Sequence, residues 1–276
     1  MTDKIKSIKQ RLKNISEKTG RDYNFILQLY FQERLIARLS NSVYSSNFIL
    51  KGGLFLYISF HESFRPTKDI DFLGSNILIN SDNLKTIFTA ISKICLDDGV
   101  LFDPDSICAE KIKEGADYEG VRVKILVHLG NIRLPVTIDV GFGDIITPEP
   151  IIFSYPVLLE STEPKLLAYN YETVIAEKSE AICKLGVSTS RMKDFYDIIF
   201  ILDNYEINQD ILKDAINNTF TKRKTLKSSF NTLKNNDLWE NHEIMWSAFE
   251  NKLGIRSKTT FKNIRHQIIE KLGKYF

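Results

Sequence analysis

The stretch Arg65-Pro66-Thr67-Lys68-Asp69-Ile70-Asp71-Phe72-Leu73 decides the fold, because it sets two carboxylates around one isoleucine in a short apolar segment. Side chains two residues apart on a β-strand point to the same face of the sheet. We therefore predict a strand that carries Asp69 and Asp71 side by side. Their mutual repulsion is relieved by a shared cation, and oxygen ligands favour Mg²⁺ or Mn²⁺ over zinc. An exposed edge strand with two solvated aspartates is the alternative.

A glycine pair precedes this strand. The apolar run Phe48-Ile49-Leu50 is followed by Lys51-Gly52-Gly53 and then by a second apolar stretch that begins at Leu54. Glycine permits positive φ and close backbone approach, and the free amide groups of a helix N-terminus bind anions such as a triphosphate. The pattern predicts a strand, a tight turn and a helix. A simple bend is the alternative interpretation of the glycines.

Asp139 is an acid inside the otherwise apolar stretch Leu134–Val140, which is followed by a glycine turn. Buried acids are rarely left without a partner. A third carboxylate from a neighbouring strand would complete a metal site with Asp69 and Asp71. The alternative is an aspartate that caps the glycine turn. Asp144 is the nearby competitor, but its position suits a loop better.

The hydrophobic pattern divides the chain into three parts. We predict N-terminal helices at 1–45 that pack on the core, an α/β domain at 46–165 and a helical domain at 166–276. Strands are expected at 106–112, 121–127, 134–140 and 153–159, with a hairpin turn at 115–120. Helices are expected at 82–96, 172–185, 191–202, 207–220, 223–235, 238–253 and 259–273.

The composition is typical of an ordinary globular protein, with 43% hydrophobic residues, 26% charged residues and a formal net charge of +2. Basic residues gather in the last third, which fits either a phosphate-facing surface or a solvated helical face. The basic residues concerned are Lys222, Arg223, Lys224, Lys227, Lys252, Arg256, Lys258, Lys262, Arg265, Lys271 and Lys274.

The three cysteines, Cys95, Cys108 and Cys183, are odd in number and far apart in the chain. We interpret them as small buried hydrophobes in a reducing compartment. The N-terminus is too polar for a signal peptide, and no apolar run approaches the length of a membrane span. We therefore expect a cytoplasmic protein without a membrane partner.

Several motifs in this order resemble the AbiEii/AbiGii toxin family of nucleotidyltransferases, from bacterial abortive-infection and toxin–antitoxin systems. The motifs are Lys51-Gly52-Gly53, Lys68-Asp69-Ile70-Asp71-Phe72, Ile138-Asp139-Val140, Glu177-Lys178 and Arg191-x-Lys193-Asp194-x-x-Asp197. The resemblance runs from about Asn47 to Leu202. It implies an α+β fold, in which a polymerase-β-like nucleotidyltransferase domain with a mixed sheet is followed by a helical domain.

The resemblance also implies roles for individual residues. Gly52 and Gly53 would hold the triphosphate, and Lys51 would lie close to its phosphates. Lys178 matches a family lysine associated with nucleotide binding, and Lys193 is a further candidate for that role. Asp194 matches an aspartate required for activity.

The same resemblance makes Asp69 and Asp71 the ligands of Mg²⁺ or Mn²⁺. Asp139 is the candidate for a third metal ligand and for the strand carboxylate that activates the acceptor hydroxyl.

The implied function is that of a Mg²⁺-dependent toxin that transfers a nucleotide from a nucleoside triphosphate to an acceptor and arrests growth. The expected acceptor is tRNA, bound by the basic C-terminal helices, and the expected partner is a separately encoded antitoxin. One alternative is a nucleotidyltransferase for small molecules, of the antibiotic-modifying kind. Another is a catalytically silent relative that binds a nucleotide or a partner protein.

Overall fold

The computed structural model describes residues 2–60, 64–112, 120–254 and 259–276. The chain forms two compact units. The first contains Met1–Gly143 and Ile151–Ala168, and the second contains Asp144–Pro150 and Tyr169–Phe276. The N-terminal helices thus belong to the same unit as the strands.

In the N-terminal half of the first unit, helices and strands follow one another in the predicted order. Its helices are α1 (Thr2–Thr19), α2 (Tyr23–Ser40), α3 (Gly52–Phe60) and α4 (Ser81–Ser92). Its strands are β1 (Phe48–Lys51), β2 (Asp69–Gly74), β3 (Leu101–Ile112), β4 (Gly120–Leu129), β5 (Ile132–Phe142), β6 (Ile151–Ser154) and β7 (Lys165–Ala168). Asp22 and Asn80 cap the first turns of α2 and α4 by accepting hydrogen bonds from backbone amides.

The strands form one mixed sheet in the order β3-β4-β5-β2-β1-β7-β6. β2 runs parallel to β5, and β1 runs parallel to β7, whereas the other neighbours are antiparallel. β5 accommodates Pro135 because this residue lies opposite Leu126 of β4, before the pairing of β5 with β2 begins at Thr137. Its missing N–H therefore costs no hydrogen bond to β2.

One face of the sheet is covered and apolar. Ile70 and Phe72 of β2 are buried, and Phe72 contacts Phe48 of β1 with ring centroids 5.6 Å apart. Phe48 also packs on Phe88 of α4 at 5.3 Å. Alternation along β2 then directs the residues between these apolar ones to the opposite face.

A buried polar cluster joins α2 to two loops of the first unit. Arg38 donates two hydrogen bonds to the carboxylate of Asp98, at 2.7 and 3.1 Å. Glu33 accepts a hydrogen bond from the backbone N–H of Leu158 at 2.6 Å and lies 2.6 Å from Arg34. Burial raises the pKa of Glu33 to about 7, although Arg34 and the Leu158 amide act in the opposite direction.

The second unit is helical. It contains α5 (Tyr171–Leu185), α6 (Met192–Asn204), α7 (Gln209–Lys222), α8 (His242–Leu253) and α9 (Phe261–Leu272). Asn170 caps α5, and Gly186 ends it with a φ of 52°. Trp239 and Trp246 are buried in this unit. The helix predicted at 223–235 is wrong: Lys227–Lys234 forms a 3₁₀ helix, because Lys224 takes a positive φ that breaks the α pattern.

The structure confirms the predicted fold class, an α+β protein with a mixed sheet followed by helices. β3 begins at Leu101, five residues before the predicted start, and β7 was not predicted because four residues are too few for a clear pattern. The prediction of three buried cysteines is correct for Cys183 and wrong for Cys95 and Cys108. Cys95 follows the end of α4, and Cys108 lies on the outermost strand. The predicted turn at 115–120 falls mostly outside the described residues.

Candidate functional site

β2 presents Asp69 and Asp71 on the same face of the sheet. Ile70 and Phe72 point to the buried face, so the two aspartates point away from it. Asp69 is exposed and Asp71 is half-buried. The strand therefore carries two neighbouring carboxylates within reach of solvent, as the spacing predicts.

Gly52 lies directly against the carboxylate of Asp71. A Cβ atom added at Gly52 would stand 2.1 Å from Oδ2 of Asp71, and the φ of Gly52 is 69°. Both the space and the backbone conformation require glycine. Gly53 is also confined, since a Cβ there would stand 3.1 Å from Oγ1 of Thr67. The glycine pair thus brings the start of α3 against β2, which is more than a simple bend.

The sheet register places Lys51 and Asp139 on either side of Asp71. Lys51 is the antiparallel partner of Asp71 on β1, and Asp139 is its parallel partner on β5. Directly opposite residues on adjacent strands share a face and interact. The structure therefore brings Lys51, Gly52, Asp69, Asp71 and Asp139 together at one place on the sheet.

Arg122 of β4 is a residue of this site that the sequence did not single out. It lies opposite Asp139 and donates from Nε to Oδ1 at 2.8 Å and from a terminal nitrogen to Oδ2 at 2.7 Å. The side chains of Arg122 and Asp139 are 38% and 20% exposed. The alternation Arg122-Val123-Lys124 places Arg122 on the polar face of β4, but nothing local indicates that Asp139 is its partner.

Oxygen donors such as Asp69 and Asp71 suit a hard divalent cation. Gly52 leaves the Asp71 carboxylate a space that any larger residue would fill, which fits a ligand held in a fixed position. Within the part of the chain that the structure describes, however, no three His, Cys, Asp or Glu side chains are arranged to hold a metal ion. The assignment of Asp139 as a third ligand stays a prediction.

In the second unit, Lys178 of α5 lies between two aspartates of α6. Its Nζ is 2.8 Å from Oδ1 of Asp194 and 2.7 Å from Oδ2 of Asp197. Both carboxylates are fully buried, and the lysine side chain is 12% exposed. Asp197 occurs in the motif quoted above but was not predicted as a site residue. Its spacing of three from Asp194 was the signal that places both on one helix face.

Arg191 completes this cluster from the start of α6, with its Nε 2.5 Å from Oδ2 of Asp194. Burial acts to raise the pKa of Asp194, but Lys178 and Arg191 outweigh burial and lower that pKa to about 2. Lys193, the other candidate on α6, is exposed. The cluster contains two acids and two bases, so its charges balance.

The predicted basic surface divides into buried and exposed residues. Arg223 is engaged by the carboxylates of Asp144, Glu177 and Glu180 at 2.8, 3.4 and 2.8 Å. Arg265 is 2% exposed and donates to the backbone carbonyl of Leu233. These two arginines are therefore structural. The lysines that remain exposed are Lys222, Lys224, Lys252, Lys262, Lys271 and Lys274. Arg256 and Lys258 lie outside the described residues.

A family model described as "Nucleotidyl transferase AbiEii toxin, Type IV TA system" matches residues 34–265, from within α2 to within α9. The chain belongs to this family. Membership of the AbiEii family identifies a nucleotidyltransferase and a toxin of a type IV toxin–antitoxin system. It implies a nucleoside triphosphate as substrate, usually with a divalent metal ion, and a separate antitoxin.

Two solved structures resemble this AbiEii chain. JHP933 from Helicobacter pylori is 13% identical, with 84% of this chain and 95% of JHP933 covered and a TM-score of 0.46. A Helicobacter pylori protein described as a "putative nucleotidyltransferase" is 17% identical, with 92% and 96% covered and a TM-score of 0.46. No curated protein matches the chain. Among the described residues, no helix is both long enough and apolar enough to cross a membrane.

Proposed function

We propose that this AbiEii-family toxin transfers a nucleotide from a nucleoside triphosphate to an RNA acceptor of the tRNA class, in a reaction that requires Mg²⁺ and arrests growth. The observation that carries the proposal is the position of the Asp71 carboxylate. It lies against Gly52 at the start of α3 and opposite Lys51, so it adjoins both a basic residue and a helix N-terminus. Carboxylate, lysine and helix N-terminus are the elements that a metal-bound triphosphate needs.

Asp69 and Asp71 are the residues that would hold the divalent ion. When bound, such an ion neutralises phosphate charge and orients the α-phosphate. In the reaction, an oxygen of the acceptor hydroxyl forms a bond to the α-phosphorus. The bond from that phosphorus to the bridging oxygen breaks, pyrophosphate leaves, and the proton of the hydroxyl passes to a carboxylate of the site. Lysines at the phosphates stabilise the charge that develops on the leaving group.

The remaining roles are assigned by unit. In the first unit, Lys51, Gly52 and Gly53 bind the triphosphate, and Asp139 is the carboxylate closest in register to Asp71. In the second unit, the proposal gives nucleotide binding to Lys178 and Lys193. Asp194 holds Lys178 with its Nζ 2.8 Å away, and this contact supports a requirement for Asp194 in activity.

The charge of the C-terminal segment supports an RNA acceptor. Residues 222–276 contain twelve lysines and arginines against five acidic residues. Exposed lysines neutralise the phosphates of the RNA backbone without contacting the bases, so they would contribute affinity for tRNA rather than selectivity for its sequence. No observation favours a small-molecule acceptor over RNA.

The test incubates the purified full-length chain with each labelled nucleoside triphosphate, Mg²⁺ and total bacterial RNA, followed by gel separation. We expect one triphosphate to label an RNA band of tRNA size, and chelation of the metal to abolish the labelling. Asp69→Ala should lose the labelling and restore growth to expressing cells. Asp82→Ala, which removes an exposed carboxylate from the first turn of α4, is the matched control and should label RNA normally.

Three outcomes would contradict the proposal. Label that appears in a metabolite panel but never in RNA would indicate a nucleotidyltransferase for small molecules. Binding of nucleotides without turnover, across all four triphosphates and both acceptor classes, would indicate a silent relative. Toxicity that survives Asp69→Ala would separate growth arrest from nucleotidyl transfer.

A further inference from the structure

The ion pair between Arg122 and Asp139 differs in its geometry from a neighbouring ion pair on the same face, that of Lys124 with Glu110. The guanidinium donates to both oxygens of the carboxylate, at 2.8 and 2.7 Å, across two antiparallel strands. Such bidentate pairs are stronger and more directional than contacts to a single oxygen. Lys124, two residues further along β4, reaches only one oxygen of Glu110, at 3.2 Å.

The pair lies in a row of charges that crosses four strands. In register, the row reads Lys51 on β1, Asp71 on β2, Asp139 on β5 and Arg122 on β4. The two central residues are acids on adjacent strands, and each has a basic residue on its outer side. Adjacent like charges disfavour each other unless a cation compensates them. Arg122 supplies that compensation to Asp139 from within the protein.

A guanidinium and a metal ion are competing partners for one carboxylate. Both oxygens of Asp139 already accept from Arg122, and a divalent ion brought to the same oxygens would meet the positive charge of the guanidinium. Coulomb repulsion at this range is substantial in a partly buried site. Asp69 and Asp71 lie on β2, one strand further from Arg122 than Asp139.

We propose that Arg122 is a positioning residue that keeps Asp139 out of the metal coordination, so that the divalent ion is bound through Asp69 and Asp71 alone. The guanidinium then takes the place that a cation bound by Asp139 would occupy. Asp139 stays beside Asp71 as a fixed, compensated negative charge. This inference rests on the proposed role of Asp69 and Asp71 as metal ligands.

The test measures Mn²⁺ binding to the full-length chain by the electron paramagnetic resonance signal of free Mn²⁺, in five variants. Asp71→Asn should abolish binding. Asp139→Asn should change the Mn²⁺ affinity by less than about threefold. Arg122→Ala frees both oxygens of Asp139 beside Asp71, so the Mn²⁺ affinity should rise about tenfold, since a neighbouring charge changes cation binding to a carboxylate by that order. Lys124→Ala, the matched control on the same strand and face, should leave the affinity unchanged.

Arg122→Lys keeps the charge and loses the bidentate geometry. We expect its Mn²⁺ affinity to return most of the way to the wild-type value. Turnover should fall in Arg122→Ala and recover in part in Arg122→Lys, with kcat affected more than KM. A merely structural ion pair would lower stability in the alanine variant without raising its metal affinity. Melting temperatures report the loss of stability separately from the change in Mn²⁺ affinity. If Arg122→Ala does not fold, the Mn²⁺ affinities of Asp139→Asn and Arg122→Lys test the inference instead.

The result that overturns the inference is a loss of Mn²⁺ binding in Asp139→Asn as large as that in Asp71→Asn, because Asp139 would then be a ligand. Unchanged Mn²⁺ affinity in a folded Arg122→Ala variant would also overturn it. Failure of the proposed function gives a different result: Mn²⁺ binding that persists in Asp71→Asn would remove the metal site from β2 altogether.

Discussion

Each of the two units contains a pair of aspartates close together in sequence, and the two pairs differ in burial. On β2, Asp69 is exposed and Asp71 is half-buried, so both lie within reach of solvent. On α6, Asp194 and Asp197 are fully buried, and Lys178 lies within 2.8 Å of both. The two pairs have similar spacings in the sequence and different environments in the structure.

Burial limits which partners each pair of carboxylates can bind. A buried charge without a partner costs several kcal/mol, so a fully buried pair must find its cations within the protein. Lys178 and Arg191 provide them, and the cluster is neutral as built. The carboxylates of the strand pair lie where a cation from solution can reach them. The strand pair therefore suits metal and substrate binding, whereas the helix pair serves first to hold Lys178.

The largest effect should come from Lys178→Ala, which leaves two fully buried carboxylates without their shared cation. We expect the free energy of unfolding to fall by about 3–5 kcal/mol, measured by guanidinium denaturation. Lys193→Ala, on the exposed side of α6, should change it by less than about 0.5 kcal/mol. Equal stability of the two variants would mean that Asp194 and Asp197 are as accessible to solvent as Asp69 and Asp71.

Asp71→Asn should show the reverse pattern. Nucleotidyl transfer should fall by about three orders of magnitude, or about 4 kcal/mol of transition-state stabilisation. The unfolding free energy should change by less than about 1 kcal/mol, because the residue is half-buried and its neutralisation removes the repulsion from Asp139 on the adjacent strand. The measurement is a rate assay combined with denaturation. A variant that keeps its rate and loses its stability would assign Asp71 a structural role.

Glu33 is a buried acid in the first unit. It therefore tests whether the behaviour of Asp194 and Asp197 comes from their burial or from their position in the second unit. Its pKa is raised to about 7, so the folded state binds more protons than the unfolded state between about pH 4.5 and 7. Its contribution to stability is therefore present below about pH 4.5 and is lost as the pH rises through 7, a loss of about 3 kcal/mol. For Asp194, whose pKa is lowered, stability is instead lost as the pH falls from about 4 to 2.

Glu33→Gln should flatten the pH dependence of unfolding between pH 5 and 8, as followed by guanidinium denaturation at each pH. Glu163→Gln removes an exposed carboxylate from the same unit and should leave the slope of the wild-type chain unchanged. A slope that survives Glu33→Gln would show that another group of the protein titrates in this window.

The smallest effect should come from Gly52→Ala, which tests how tightly the strand pair is held. The added Cβ would stand 2.1 Å from Asp71 Oδ2 at a φ of 69°, so we expect a loss of about 2 kcal/mol in stability and of most activity. Gly20→Ala is the matched control, since Gly20 has a φ of 66° and nothing within 4 Å. It should cost about 1 kcal/mol and keep full activity. Identical behaviour of both variants would show that Asp71 moves aside freely.

Much of the fold could be predicted because its signals are local. The alternation around Ile70 predicted β2, and the glycines at 52 and 53 predicted the turn into α3. The buried state of the cysteines could not be predicted in the same way. Cys108 has apolar neighbours in sequence, but it lies on the outermost strand, and the position of a strand in a sheet is not a local property.

The candidate site was predicted in part for a similar reason. Asp69, Asp71 and Asp139 were identified because acids in apolar strands are unusual. Arg122 and Asp197 were not, since charged residues beside apolar ones on strands and helices are common. The predicted basic surface failed for Arg223 and Arg265, because a basic residue next to other basic residues can still turn inward to reach carboxylates or carbonyls.

Local sequence patterns are enough to predict which side chains share a face, because the periods of strands and helices are properties of neighbouring residues. They predicted that Asp69 and Asp71 point the same way. The folded chain was needed to show that Arg122 lies opposite Asp139, that Lys51 lies opposite Asp71 and that Lys178 lies between two aspartates. These contacts join residues far apart in the chain, and strand register and helix packing are set by the burial of the whole core rather than by any local pattern.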